Sequence, residues 1–203
     1  GLVAAVATAG NLSISQSILS HLREGLDDPE TGSRRRLVDC ETMFQAAQFV
    51  GRAIRHVHAI DGDALERAGG GYDVSILLGG QAKGGEPRLF MLYKEGNFIE
   101  ATSDTPFLQI GETKYGKPIL DRAVTFDTEL YDALKLGLIS MDSTMRSNLG
   151  VGLPVDLVVL RRDALAWESE RRIEIAEPYF HDLRERWSYA RSEEHTSELQ
   201  SHH

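Results

Sequence analysis

The side chains most often used as nucleophiles or metal ligands are sparse and scattered in this chain. His56 and His58 are two residues apart in a predicted helix, so they point to different faces and cannot easily bind one metal ion. His21 and His181 are isolated in the sequence, and Cys40 has no cysteine–histidine pattern around it. These residues therefore predict neither a metal site nor a thiol nucleophile.

Two glycine-rich segments, 69–71 and 79–80, are candidates for a phosphate-binding loop. Both follow the wrong kind of predicted element, and the Gly-Lys-Ser/Thr sequence of a Walker motif is absent from the chain. We therefore expect no ATP site and no cofactor.

Two further positions could take part in amide hydrolysis. Gly10 closes a strand-like segment just before a predicted helix, and residues 142–147 form a polar cluster at the predicted end of a later helix. Taken alone, Gly10 is interpreted as a glycine that ends a strand, and the cluster as ordinary polar capping of a helix. A catalytic role for either depends on resemblance to a known family.

The composition is that of a globular protein without special surfaces. Hydrophobic residues make up 41% and charged residues 26% of the 203 residues, and the formal net charge is −9. No basic stretch exceeds Arg34 to Arg36, which argues against a nucleic-acid partner. The longest apolar run, residues 2–9, is too short to span a bilayer, and the single cysteine suits a cytoplasmic location.

The elements that must position these residues follow from hydrophobic spacing. We predict strands over about 2–8, 72–80, 88–93, 98–102, 107–110, 155–160 and 171–176, and helices over about 14–22, 39–60, 115–124, 127–147 and 178–189. Helices and strands come in separate runs, which favours an α+β fold of one domain over residues 1–190. Residues 191–203 share nothing with the preceding sequence and are interpreted as a non-native tail.

Long strings of the sequence resemble the Anbu family, bacterial proteasome homologues within the N-terminal-nucleophile hydrolases. The matching segments lie between residues 2 and 189, and they include Thr8-Ala9-Gly10-Asn11, Leu78-Gly79-Gly80-Gln81, residues 96–102, residues 110–121, residues 140–148 and residues 152–157. The resemblance implies the four-layer αββα sandwich of that hydrolase class. Because the chain opens at Gly1 in a strand-like segment, we expect the first strands of the fold to be missing.

The resemblance also implies an activity. Family members are self-processed peptidase subunits with an N-terminal threonine as nucleophile and its own α-amino group as base, and they assemble into rings or open spirals that act on peptides or unfolded proteins. The threonine, an Asp and a Lys of that site would all precede Gly1. We therefore expect no peptidase activity from the 203 residues alone.

Three residues of this chain are expected in the site by resemblance. The backbone N–H of Gly10 would point into the oxyanion hole, and Asp142 and Ser147 would reach the threonine amine. The usual family spacing places the serine three residues after the aspartate, where this chain has Met145, so Ser143 is a rival to Ser147. Glu112 replaces a serine of the proteasomal subunits and could bind the amine or face solvent.

The resemblance leaves three functions open. The first is a catalytic subunit of a threonine peptidase that forms homo-oligomers. The second is a non-catalytic scaffold subunit, and the third is an amidohydrolase of the same fold that acts on small amides. The identity of the first residue of the complete protein separates them.

Overall fold

The elements of the computed structural model follow the predicted α+β order. The structure describes residues 1–28 and 32–200. The strands of this part of the chain are β1 (Leu2–Gly10), β2 (Leu26–Asp27), β3 (Arg34–Arg35), β4 (Val74–Ala82), β5 (Arg88–Leu92), β6 (Phe98–Glu100), β7 (Val155–Leu160) and β8 (Trp167–Ile173). Its helices are α1 (Leu12–Glu24), α2 (Met43–Arg67), α3 (Lys117–Ala123), α4 (Leu130–Ser147) and α5 (Pro178–Gln200), with a 3-10 turn at Leu37–Asp39.

Three elements differ from the sequence predictions for identifiable reasons. Helix α2 begins after Thr42, whose hydroxyl accepts a hydrogen bond from the Gln45 N–H at 3.1 Å, and it continues to Arg67. The strand predicted over 107–110 does not form, because these residues join none of the sheets in the described part of the chain. Helix α5 continues past Tyr189 to Gln200, since residues 190–200 contain neither proline nor glycine.

One smaller difference concerns the position of a predicted strand. Strand β8 lies at Trp167–Ile173, so it overlaps only the first half of the strand predicted over 171–176. Residues 29–31 lie outside the described part of the chain. Residues 201–203 of the predicted tail also lie outside it.

The chain divides into two compact units, of which the first contains residues 1–111 and 158–169. Its sheet has the strand order β1-β4-β5-β6, and every neighbouring pair is antiparallel. Alternate residues of β4, Val74, Ile76 and Leu78, point into the core, as period-2 burial requires. Helices α1 and α2 cover this face with a stripe of fully buried residues, among them Ile18, Val50, Ile54 and Val57.

Gln81 on β4 fixes a distant loop of this first unit. Its side-chain oxygen accepts a hydrogen bond from the Asp163 N–H at 2.8 Å, and its side-chain nitrogen donates to the Asp163 carboxylate at 2.8 Å. The Gln81 side chain is buried, so these bonds satisfy polar atoms that water cannot reach. The β7–β8 turn is thereby held against the end of β4.

The Tyr72 hydroxyl is a buried polar group of this core. It donates a hydrogen bond to the Ile54 carbonyl at 2.8 Å, and burial, with a smaller contribution from Asp61, raises the pKa of Tyr72 to about 12. The folded state therefore holds this proton at a pH where the unfolded chain has lost it. The stabilising contribution is fully present below about pH 10, the pKa of an unperturbed tyrosine, and is lost as the pH rises through about 12.

A Tyr72→Phe variant tests this assignment. We expect it to lose about 1 kcal/mol of unfolding free energy at pH 8, because the hydrogen bond is removed. Between pH 10 and 11.5 its stability should fall less steeply than that of the unmodified chain. Urea unfolding at several pH values measures both effects, and Tyr179→Phe, at a half-exposed tyrosine, is the control. An identical alkaline slope in all three proteins would contradict the assignment.

The second unit contains residues 112–157 and 170–203. Its core is small, with Leu138, Ile173 and Phe180 buried and Leu134 and Leu183 packed against them. Helix α3 approaches α4 closely at Gly116, where a Cβ atom would lie 2.8 Å from the Thr144 hydroxyl. A residue without a side chain is therefore required at this contact.

The single domain predicted over residues 1–190 stays a prediction. Within the described residues, no helix combines the length and the apolar character needed to cross a membrane.

Candidate functional site

Gly10 occupies a backbone position that excludes any side chain. Its φ of +106° lies in a region that L-residues rarely adopt, and a Cβ atom built on it would lie 2.4 Å from the Asp73 carbonyl oxygen. The neighbouring Asn11 N–H donates to that same carbonyl at 2.8 Å, which fixes the end of β1 against the start of β4. Gly10 is exposed, so its bare backbone is open to an approaching ligand.

The residues that follow Gly10 start helix α1 at a well-capped corner. The Asn11 side-chain oxygen accepts hydrogen bonds from the Ser13 and Ile14 N–H groups at 3.0 and 3.4 Å. Leu12 is 69% exposed, and Gln16, one turn further on, is exposed as well. Thr8 shares a strand face with Gly10, because side chains alternate along a strand. Apolar and polar side chains are therefore both exposed in the first turns of the helix that follows Gly10.

Asp142 in the second unit is a buried carboxylate with two cationic partners. Its side chain is 2% exposed, whereas those of Arg146 and Arg184 are 46% and 33% exposed. Arg146 Nε donates a hydrogen bond to one carboxylate oxygen at 2.8 Å. Arg184 Nε on α5 lies 2.5 Å from the other oxygen but makes no hydrogen bond of normal geometry with it, so we describe this contact as an ion pair. The carboxylate thus joins α4 to α5.

The two candidate serines do not share the helix face of Asp142. Ser147 is five positions later, which places it about 140° around the helix axis, and it is exposed. Ser143 is the next residue and lies about 100° around the axis. The position one turn after Asp142 belongs to Arg146. The structure therefore places Asp142 and Ser147 on the same helix but does not bring their side chains together.

Glu112 and Asn148 form a polar contact that sequence reasoning did not single out. The Asn148 side-chain nitrogen donates to the Glu112 carboxylate at 3.0 Å, and the Lys114 N–H donates to the other carboxylate oxygen at 2.8 Å. These bonds, the one from Lys114 first, lower the pKa of Glu112 and keep it ionised. The Asn148 oxygen accepts from the Gly150 N–H at 2.8 Å, which ends α4 in a defined turn.

The remaining candidates from the sequence have structural surroundings. Cys40 is buried, and burial raises the pKa of its thiol, which disfavours the nucleophilic thiolate. His58 packs edge-on against Tyr72, with ring centroids 4.6 Å apart. The sequence suggested that His21 is isolated. In the structure its ring packs edge-on against the ring of His56, with centroids 4.8 Å apart. Among the described residues, no group of three or more His, Cys, Asp or Glu side chains is placed to hold a metal ion.

Comparison with known proteins decides the family. No protein-family model and no curated protein matches the chain. Among solved structures, Anbu from Hyphomicrobium sp. strain MC1 is 44% identical, with a TM-score of 0.84 over 96% of this chain and 79% of the other. Anbu from Yersinia bercovieri, described as an ancestral beta-subunit, is 43% identical, with a TM-score of 0.86 over 96% of this chain and 80% of the other. This chain belongs to the Anbu family.

The resemblance predicted from the sequence strings is thereby confirmed. The predicted fold class is confirmed as well, since the Anbu structures have the proteasome-like N-terminal-nucleophile hydrolase fold and the chain matches them along nearly its whole length. A third relative, from Pseudomonas aeruginosa, is 41% identical with a TM-score of 0.86 over 97% of this chain and 79% of the other. The structure that contains it is described as a helical assembly of the Anbu complex.

Two features of this Anbu-family chain could not be read from its sequence. Arg184 lies 42 positions from Asp142, and no local spacing indicates that the two residues meet. Asn148 follows a predicted helix, where its amide is typical of a cap, but its contact with Glu112 depends on how the loop before α3 folds back. Gly10 and the polar cluster over residues 142–147 did carry local signals, a glycine between strand and helix and polar residues at a helix end.

Proposed function

We propose that this chain is a subunit of a self-assembling, proteasome-like threonine peptidase that hydrolyses peptide bonds. The observation that carries the proposal is membership of the Anbu family, at 41 to 44% identity over at least 96% of the chain. In this proposal the nucleophile is an N-terminal threonine that lies outside the 203 residues. No cofactor takes part.

The proposed reaction uses the threonine hydroxyl and its own α-amino group. The amine accepts the hydroxyl proton, because its pKa of about 8 lies near neutral pH, and the oxygen attacks the scissile carbonyl. The scissile C–N bond then breaks, the departing amine takes the proton that the α-amino group had accepted, and an ester to the threonine oxygen remains. Water, deprotonated by the same α-amino group, hydrolyses this ester and regenerates the threonine hydroxyl. Negative charge develops on the carbonyl oxygen during both steps, and the backbone N–H of Gly10, an exposed residue, is the group proposed to stabilise it.

Asp142 and Ser147 enter the proposal with different roles. Ser147 is exposed at the end of α4 and is proposed to contact the threonine amine. Asp142 is engaged by Arg146 and Arg184, which favours a positioning role. By holding the last turns of α4 in place, it would fix the direction in which Ser147 projects.

The proposed setting is a cytoplasmic homo-oligomer that acts on peptides or unfolded proteins. The helical assembly formed by the Pseudomonas aeruginosa relative supports an open spiral of subunits. The net charge of −9 supports neither a nucleic-acid partner nor a membrane partner.

The test begins with the gene sequence upstream of the codon for Gly1. An open frame that begins Met-Thr, followed by an Asp and a Lys before Gly1, is the expected result. The complete subunit should then hydrolyse a fluorogenic peptide, and replacing the threonine with alanine should abolish the activity. A Ser147→Ala variant should lower kcat about a hundredfold. Ser20→Ala, also at an exposed serine of a helix, should leave the activity unchanged.

Two outcomes would overturn the peptidase assignment. A frame that begins with Met followed by Ser or Cys, together with hydrolysis of small amides, would assign an amidohydrolase of the same fold. A frame without any nucleophile, in a protein that assembles but hydrolyses neither substrate, would assign a scaffold subunit.

A further inference from the structure

A cleft on the first unit gathers positive charge on a chain that is acidic overall. The cleft has a volume of about 470 Å³ and lies between α1, the β2–β3 hairpin and α2. Arg34, Arg52 and Arg55 line it together with His21 and His56, and among the described residues of the lining Asp27 is the acidic one. The volume is within the range of small-molecule sites, which runs from about 300 to 1,000 Å³.

The arginines of this cleft are held in place mainly by backbone carbonyls. Arg34 Nε donates to the Glu24 carbonyl at 2.9 Å, and a terminal nitrogen of Arg55 donates to the Gly96 carbonyl at 3.0 Å. A carbonyl orients a guanidinium group without cancelling its charge, and most of its five N–H donors remain for other acceptors. These two groups are therefore fixed and still cationic.

Arg52 is the partly neutralised member of the set. One of its terminal nitrogens donates to the Asp27 carbonyl at 3.0 Å, and the other lies 3.6 Å from the Asp28 carboxylate. Asp28 is not part of the lining of the cleft. The ion pair is long and partly exposed, so it weakens the positive potential on this side without removing it.

The imidazole rings of His21 and His56 form another part of the lining. Burial, followed by His56 and then by Arg34, lowers the pKa of His21, while the Glu24 carboxylate opposes this shift. A cation is therefore disfavoured at His21 as long as the cleft holds no counter-charge. An anion placed among Arg34, Arg55 and the imidazoles would reverse this effect and raise the pKa of His21.

We propose that this cleft is a binding site for a small phosphate-bearing anion. Planar guanidinium groups match phosphate oxygens in bidentate geometry, and two or three of them at one cleft favour a multiply charged oxyanion over a single carboxylate. The imidazole N–H groups supply further donors. This inference concerns a site apart from Gly10 and Asp142, and it does not depend on the peptidase proposal.

Isothermal titration calorimetry with inorganic pyrophosphate tests the site on the full chain. We expect saturable binding of one pyrophosphate, and about tenfold weaker binding in each of Arg34→Gln and Arg55→Gln, because each loses a charge-assisted contact. Arg67→Gln is the matched control, since Arg67 lies on α2 and also donates to a backbone carbonyl, that of Asp63, away from the cleft. Its affinity should be unchanged.

Two further measurements make the result specific. Adenosine diphosphate distinguishes two kinds of site. A site that recognises phosphate alone should bind adenosine diphosphate and pyrophosphate equally. A site for a phosphate-bearing metabolite should bind adenosine diphosphate more tightly than pyrophosphate. Citrate should bind more weakly than pyrophosphate. A proton NMR titration of the His21 imidazole should show its pKa rise when pyrophosphate is present, which gives a readout that needs no variant.

The proposal would be overturned by any of three results. These are the absence of saturable pyrophosphate binding, equal weakening by Arg67→Gln and the cleft variants, and citrate binding as tightly as pyrophosphate. Arg34 is exposed, so Arg34→Gln is expected to fold even where Arg55→Gln, which loses its bond to Gly96, is destabilised.

Discussion

Replacing Gly10 with alanine should destabilise the chain by about 4 kcal/mol. The φ of +106° is costly for any L-residue, and the added methyl group would lie 2.4 Å from the Asp73 carbonyl oxygen, well inside van der Waals contact. The obstacle is backbone rather than a flexible side chain, so relief requires β1 and β4 to move apart. A loss of this size is a large fraction of the roughly 5–15 kcal/mol that holds a typical domain folded.

Urea unfolding followed by circular dichroism measures the effect of Gly10→Ala. Gly71→Ala is the matched control, because Gly71 has no positive φ and no atom lies within 4 Å of the position that an added methyl group would take. We expect the control to change the unfolding free energy by less than about 1 kcal/mol. Equal effects of the two substitutions would show that the corner at Gly10 tolerates a side chain, which would also remove the reason for a glycine beside the proposed oxyanion hole.

Asp142→Asn should destabilise the second unit by about 2 to 3 kcal/mol. The substitution keeps the size of the side chain but removes the charge that holds Arg146 and Arg184. Both arginines are partly exposed and can be hydrated, so the loss should be smaller than for a fully buried pair. Asp132→Asn on the same helix is the control, because Asp132 and its partner Lys135 are largely exposed and such pairs contribute about 0.5 kcal/mol.

The outcome at Asp142 separates two roles for its carboxylate. If the carboxylate joins α4 to α5, replacing it lowers the free energy of unfolding. If it is instead an active-site group held in an unfavourable environment, removing it often leaves the stability of the fold unchanged or higher. An Asp142→Asn chain with unchanged or higher stability would therefore contradict the positioning role. Direct participation of Asp142 at the threonine amine would then be favoured.

Local signals in the sequence were sufficient for the α+β class and for most elements. The alternation along β4 and the apolar stripe of α2 are each contained within one segment. The spacing at which apolar residues recur along the sequence therefore identifies both elements. The strand predicted over 107–110 was wrong because an apolar run forms a strand only when another strand pairs with it, and pairing is not a local property. Helix α5 runs past its predicted end because nothing in the following residues stops it.

By itself, the sequence determined the family and the position of Gly10, since long matching strings and a glycine between strand and helix are linear features. Only the tertiary structure decided what surrounds the candidate residues. It placed Arg184 beside Asp142, separated Asp142 from Ser147 around one helix, and brought Arg34 to the same cleft as Arg55 and His21. The physical reason is that charge, burial and hydrogen bonding depend on neighbours in space, and those neighbours come from elements that are remote along the chain.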